Sequence, residues 1–124
     1  MKYTISDAIT ELKPGADYIL RGEDYSDLEW LDSSQTKPTE TEINSKISEL
    51  DAAESMRLLR VERDKRLTAC DWVITKATET GGTVSDDWKT YRQALRDLPS
   101  SASPKLNSIY NLDLTSVTWP TEPS

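Results

Sequence analysis

Histidine is absent from this 124-residue sequence, which removes the commonest general base and the commonest metal ligand of proteins. Cysteine occurs once, at Cys70, so no internal disulfide and no cluster of thiolate ligands can form. Glycine is scarce, and only Gly81 and Gly82 are adjacent, which excludes a glycine-rich phosphate-binding loop. Any catalysis would therefore depend on carboxylates alone. We expect no enzyme, no catalytic residue, no cofactor and no metal site.

Long apolar runs are also missing. None approaches the ~18–20 residues that a membrane helix needs, and the first residues lack the apolar core of a signal peptide. Apolar residues make up 35% of the chain and charged residues 30%. We therefore expect a soluble, unsecreted protein that makes no membrane contact and has parts that are extended or completed by a partner.

Charge is unevenly distributed along this acidic chain, whose net charge is −7. Residues 1–55 carry 13 acidic and 5 basic side chains, whereas residues 56–78 carry 3 acidic and 6 basic side chains. Glu62 and Asp64 interrupt the basic run Arg57–Arg66, and no aromatic residue lies within it. This pattern favours a solvated helix face, with a surface for an acidic partner as the alternative. It argues against nucleic acid as a partner.

The first 39 residues predict a small module of one helix and a β-hairpin. Ile5, Ile9 and Leu12 recur at helical spacing before Pro14 and Gly15. The runs 18–20 and 28–31 have the composition of short strands, joined by a polar turn. A two-stranded hairpin alone is only marginally stable, so we expect the helix or another chain to cover one of its faces.

Residues 40–78 predict one long helix. Thr39 and Glu42 have the spacing of a capping box, and no helix breaker follows. Such a helix is too long to be buried within 14.0 kDa, so it either bends near residues 52–55 or projects its acidic half toward a partner helix, which includes a second copy in a homo-oligomer. Its expected apolar stripe is Ile43, Ile47, Leu50, Leu58, Val61 and Trp72, and a parallel row of Leu59, Leu67, Cys70 and Ile74 lies beside it.

A second helix should pair with the end of the long one. Gly81 ends the first helix, Ser85 caps the next, and Pro99 is expected to stop it. The short connection favours an antiparallel helical hairpin with Trp72 facing Trp88 or Tyr91. An extended tail, which crosses the hairpin or lies on a partner, should follow. The class is thus α+β, divided into segments 1–39, 40–99 and 100–124.

The aromatic content indicates protein binding. The chain has four Trp and five Tyr but no Phe, and Trp, Tyr and Arg are the residues enriched at interfaces. The alternative is that Trp72, Trp88 and Tyr91 form a hairpin core, with Arg92 and Arg96 pairing with Asp71 or Asp97. The candidate partner-binding residues are Trp30, Trp72, Trp88, Tyr91, Arg92, Arg96 and Trp119.

Three segments of the second half carry a family resemblance: RDKRLTACDW at 63–72, SDDWKTYRQALRDLP at 85–99 and TWPTEP at 118–123. They resemble the phage tail assembly chaperone family, over about residues 60–123. That family shows Arg-Asp-x-x-Leu-x-x-x-Asp-Trp, then Trp-x-x-Tyr-Arg-x-x-Leu-Arg-Asp-Leu-Pro, then a late Trp-Pro. The sequence departs from the pattern at Thr80–Thr83, where the family commonly has an acidic, proline-containing loop. Residues 5–43 separately resemble small XkdW-like phage tail proteins.

The resemblance implies a small, non-enzymatic protein that binds another phage tail, baseplate or fibre protein during virion assembly in the host cytoplasm. An alternative is a structural subunit, such as a fibre adaptor or baseplate component, that stays in the virion tail. A third class, an enzyme acting through paired carboxylates such as Asp86 and Asp87, is disfavoured because these lie at a helix N-terminus, where capping accounts for them.

Overall fold

The computed structural model describes residues 2–123 and has the α+β composition that the sequence predicts. The chain divides into two compact units, Met1–Glu54 and Ser55–Ser124. The regular elements are α1 (Ile5–Leu12), β1 (Tyr18–Leu20), β2 (Leu28–Trp30), α2 (Glu40–Ala69), α3 (Trp72–Thr80) and α4 (Asp86–Ser101), with 3-10 turns at Tyr25–Asp27 and Leu114–Ser116.

The hairpin of the first unit confirms the sequence pattern. Strands β1 and β2 are antiparallel, with Tyr18 opposite Trp30 and Leu20 opposite Leu28. Period-two alternation points these four side chains to one face, where they belong to the hydrophobic cluster that includes Ala8 and Ile9 of α1. The hairpin is therefore covered on one face by the amphipathic helix that precedes it.

Hydrogen bonds at the base of the hairpin hold the carboxylate of Asp32. It accepts from the backbone N–H groups of Asp17, Gln35 and Ser34 at 2.8–2.9 Å and from the Ser34 hydroxyl. These bonds, that from the Asp17 N–H first, lower the pKa of Asp32 from 3.8 to about 2. The charged form of Asp32 thus fixes the chain on both sides of the hairpin.

Helix α2 begins as the capping box predicts. The Glu42 N–H donates to Thr39 Oγ1 at 3.1 Å, and the Thr39 N–H donates back to Glu42 Oε1 at 3.5 Å. Ile43 then contributes to the core of the first unit, together with Ala8, Ile9 and Leu28. The backbone stays helical through residues 52–55.

The long helix predicted over residues 40–78 is present, but a short break divides it near its end. Helix α2 stops at Ala69, and α3 starts at Trp72. Between them the N–H of Cys70 donates to the Leu67 carbonyl and that of Asp71 to the Thr68 carbonyl, each at 3.2 Å. This tightening to three-residue spacing breaks the regular α-helical ladder without any Gly or Pro, and side-chain contacts described below stabilise it.

The expected apolar stripe is also corrected in the second unit. Val61 is 55% exposed, whereas its neighbour on the other row, Leu59, is fully buried. Leu59 packs with Leu98 and Val117, while Cys70, Val73, Tyr91 and Leu95 form a second cluster. The helix therefore turns the Leu59 row toward the core, because that row meets α4 and the chain after it.

Helix α4 starts as predicted but ends later. The Trp88 N–H donates to Ser85 Oγ at 3.4 Å, and Gly81 closes α3 with a positive φ of 72°. The expected stop at Pro99 is wrong, since α4 continues to Ser101. Pro99 lies in the last turn, and the Ala102 N–H still donates to the Leu98 carbonyl at 2.9 Å. Because Pro99 has no N–H, the helix loses one hydrogen bond near its end, and the last turn still forms.

The tail is less extended than predicted. Leu106 and Leu112 form a bridge around a turn in which Tyr110 has a φ of 59°, and the 3-10 turn at Leu114–Ser116 follows. Trp119 then packs against both hydrophobic clusters of the second unit. Within that unit, the tail is thus bound to the helices of its own chain.

Among residues 2–123, none of the helices combines the length and the hydropathy that a membrane-spanning helix requires.

Candidate protein-binding surface

Three aromatic rings form a continuous row between α3 and α4. The ring centroids of Trp72 and Trp88 are 5.8 Å apart with an interplanar angle of 76°, and those of Trp88 and Tyr91 are 5.8 Å apart at 81°. Both are edge-to-face pairs, the arrangement that the aromatic quadrupole favours. The expectation that Trp72 faces Trp88 is confirmed.

Burial falls steadily along this row. Tyr91 is only 6% exposed, Trp88 is half-buried, and Trp72 is 53% exposed. The row therefore combines a ring packed in the protein interior, Tyr91, with an exposed indole at its other end, Trp72. We call the exposed part of Trp72 and Trp88 the Trp72 surface.

Arg92 supports the turn that presents Trp72. Its Nη1 donates to the Leu67 carbonyl at 3.0 Å and contacts Cys70 Sγ at 2.9 Å, and its Nη2 donates to Asp71 Oδ1 at 3.1 Å. Burial alone would lower the pKa of the guanidinium, but the bonds to Cys70 and Asp71 outweigh it and raise the pKa. Because the side chain is only 12% exposed, these internal contacts make Arg92 a positioning residue.

Arg96 lies on the exposed side of α4. Its Nε and Nη2 donate to Gln93 Oε1 at 3.3 and 2.9 Å. The pairing expected between Arg96 and Asp97 does not form, because Asp97 accepts from Gln93 Nε2 instead. The guanidinium stays exposed and is held only by the neighbouring amide.

Trp119 is fixed by a residue that sequence reasoning did not assign to the site. The guanidinium carbon of Arg66 lies 4.1 Å from the centroid of the indole ring, and Trp119 Nε1 donates to the Leu114 carbonyl at 3.1 Å. Arg66 also pairs with Glu62 at 3.1 Å. The i, i+4 spacing of Glu62 and Arg66 is typical of a helical ion pair, but nothing local in the sequence indicates contact with a ring 53 positions later.

Trp30 belongs to the first unit and has its own partners there. Its ring stacks on Tyr18 with centroids 6.2 Å apart, and its Nε1 donates to the Gln35 carbonyl at 2.9 Å. The seven candidates therefore fall into separate groups. Trp72, Trp88, Tyr91 and Arg92 are joined around one turn, Trp119 packs on the same unit, Arg96 lies apart on α4, and Trp30 holds the hairpin.

The exposed aromatic side chain of the second unit suits binding to another protein. Among residues 2–123, no group of three or more Cys, Asp or Glu side chains is placed to hold a metal ion. Cys70 is a free, buried cysteine. The second unit presents an exposed indole that packs on Trp88, and exposed tryptophans are typical of protein interfaces.

The comparison with protein-family models covers this same part of the chain. The model for the phage tail assembly chaperone protein matches residues 56–124, more than half of the chain and nearly the whole second unit. The chain belongs to the phage tail assembly chaperone family. The resemblance drawn from the tryptophan- and arginine-containing motifs is thereby confirmed, and it assigns the chain to phage tail assembly. This family is not a class of enzymes.

The first unit lies outside the matched range, so its resemblance to XkdW-like tail proteins stays a prediction. No curated protein and no solved structure matched the chain. The family therefore rests on the second unit, the part that carries the Trp72 surface.

Proposed function

We propose that this chain acts as a tail assembly chaperone that binds another tail protein, a baseplate or fibre component included, through the Trp72 surface. One observation carries the proposal: within the part of the chain that defines the family, Trp72 stays 53% exposed although its ring packs on Trp88 and Arg92 holds the turn just before it. A fixed indole loses little conformational entropy on binding, which favours its use as an anchor.

The size of the exposed area sets the expected effect. An indole side chain offers up to about 250 Å², so half-exposure leaves roughly 130 Å² for a partner to cover, worth about 3 kcal/mol of apolar burial. Some of this is offset by ordering of the partner. Replacing Trp72 by Ala should therefore weaken binding by about 2 kcal/mol, or about 30-fold in Kd.

Capture from phage-infected cells tests the proposal. Tagged wild-type protein is compared with Trp72→Ala and with Leu31→Ala, a control whose side chain is 51% exposed but lies in the first unit. We expect a tail protein to co-purify with wild type and with Leu31→Ala and to be depleted with Trp72→Ala. Equal recovery by both variants, each folded by circular dichroism, would remove Trp72 from the interface.

In this proposal the protein works in the host cytoplasm and leaves before the virion is complete. A structural subunit of the tail is the alternative in the same family. Mass spectrometry of purified particles separates them, because a transient chaperone is absent from the virion and a subunit is present at a fixed ratio to the other tail proteins.

A further inference from the structure

An open groove runs between one face of α4 and the end of the chain. Its α4 side consists of Asp87, Thr90, Tyr91 and Ala94, which recur with the spacing of a single helical face. Its other side is Pro120–Pro123. The groove lies wholly in the second unit, and Tyr91 joins it to the aromatic row of the Trp72 surface.

The groove is rich in hydrogen-bond acceptors. Asp87 and Glu122 contribute carboxylates, Thr90 contributes a hydroxyl, and the two prolines have a carbonyl but no N–H. No Lys or Arg is among the residues that form it. An occupant of this groove must therefore supply donors and positive charge.

The charges around the groove also favour a positively charged occupant. Burial first, and the Glu122 carboxylate second, raise the pKa of Tyr91, so the phenol senses the negative charge across the groove. Arg66 acts in the opposite direction on Tyr91, but its guanidinium is engaged by Glu62 and by the ring of Trp119. The described ion pairs leave Asp87 and Glu122 without a basic partner.

We propose that this groove receives an arginine side chain from an extended segment of the bound tail protein. The inference rests on the proposed function and specifies the chemistry of the partner. A guanidinium has five donors and no acceptor, which matches two carboxylates, a hydroxyl and proline carbonyls.

Titration of the full ¹⁵N-labelled chain with a short peptide tests the groove directly. The probe is acetyl-Gly-Arg-Gly-amide, and the matched control peptide carries citrulline, which has nearly the shape of arginine but no charge. We expect saturable amide shifts around Thr90 and Glu122 with the arginine peptide and not with the citrulline peptide. Absence of shifts, equal shifts with both peptides, or shifts confined elsewhere would overturn the proposal.

A pair of double variants identifies the carboxylates. D87N/E122Q removes both from the groove, whereas D86N/E79Q makes the same charge change on exposed residues that do not form it. Asp86 and Asp87 both lie in the first turn of α4, so the effect on the helix is matched. The groove variant should bind the arginine peptide about tenfold more weakly or worse, and the control should bind like wild type. Equal weakening in both variants would contradict the assignment.

Capture from infected cells separates this inference from the proposed function. If wild type recovers a tail protein and D87N/E122Q does not, the arginine site is supported. If D87N/E122Q recovers it at the wild-type level, the arginine site is overturned and the binding function stands. If wild type recovers no tail protein, the proposed function fails, and the peptide titration still decides whether the groove binds arginine.

Discussion

Replacing Arg92 by Ala should destabilise the second unit by about 2–4 kcal/mol. The side chain is 12% exposed and donates to the Leu67 carbonyl and Asp71 while contacting the Cys70 sulfur. A hydrogen bond from a charged donor contributes about 1.5–3 kcal/mol, and the pair with the exposed Asp71 carboxylate adds roughly 0.5 kcal/mol. These contacts all lie at the break between α2 and α3, which Arg92 connects to α4.

Arg96→Ala is the matched control, because it removes the same side chain one turn later on the same helix. Arg96 is exposed and bonds only to Gln93, so its loss should cost no more than about 0.5 kcal/mol. Arg92→Lys keeps the positive charge but lacks the forked donors of the guanidinium. Its loss of stability should therefore lie between those of Arg92→Ala and Arg96→Ala.

Urea unfolding followed by tryptophan fluorescence measures these differences. A Trp30→Phe background confines the signal to Trp72, Trp88 and Trp119, all in the second unit. The midpoint for Arg92→Ala should fall by about 1–3 M relative to this background. If Arg92→Ala and Arg96→Ala shift the midpoint equally, Arg92 does not hold the turn and the reasoning is refuted.

Three further predictions concern other contacts. A double-mutant cycle on Arg66 and Trp119, both replaced by Ala, should give a coupling free energy of about 1 kcal/mol, and additive effects would show that the stacked pair contributes nothing. Because the pKa of Asp32 is lowered from 3.8 to about 2, its charge stabilises the folded first unit above about pH 4, and that contribution is lost as the pH falls toward 2. The urea midpoint of Asp32→Asn should be lower near neutral pH and should change less between pH 4 and 2; an unchanged profile would contradict this. Thr39→Ala should cost the first unit about 1 kcal/mol in the same assay, since it removes the capping box of α2, whereas Thr36→Ala, in the preceding loop, should be neutral.

Local signals of the sequence specified much of the fold. The Thr39–Glu42 box, the Ser85 cap and Gly81 act within one turn of the chain, and each marks a helix boundary where expected. The hairpin follows from two short apolar runs of β-type composition on either side of a polar turn. Such boundaries depend on neighbours in sequence, so they can be predicted without knowing the tertiary structure.

Features that depend on distant contacts were missed. The break at Cys70 carries no Gly or Pro, and it is stabilised by Arg92, which is 22 positions away. The choice between the Leu58–Val61 and Leu59 rows is made by packing against Leu98 and Val117. Periodicity alone offers both rows, and only tertiary burial selects one.

The ring contacts of the candidate site could be predicted from the sequence, but the roles of its two arginines could not. The spacing of Trp72, Trp88 and Tyr91 across a short interhelical connection predicted that these rings meet. Residue type alone could not separate Arg92, which is turned inward, from Arg96, which is exposed. Both belong to one motif, and their roles differ because only Arg92 faces the break between α2 and α3.

Photo-crosslinking next to Trp72 in infected cells tests the central claim most directly. A benzophenone amino acid replaces Lys76, which is exposed and one helical turn from Trp72, or replaces Leu31 in the first unit as the control. We predict a covalent adduct with a structural tail protein from position 76 and none from position 31. An adduct from position 31 alone, or no adduct from position 76 in a folded protein, would contradict the account.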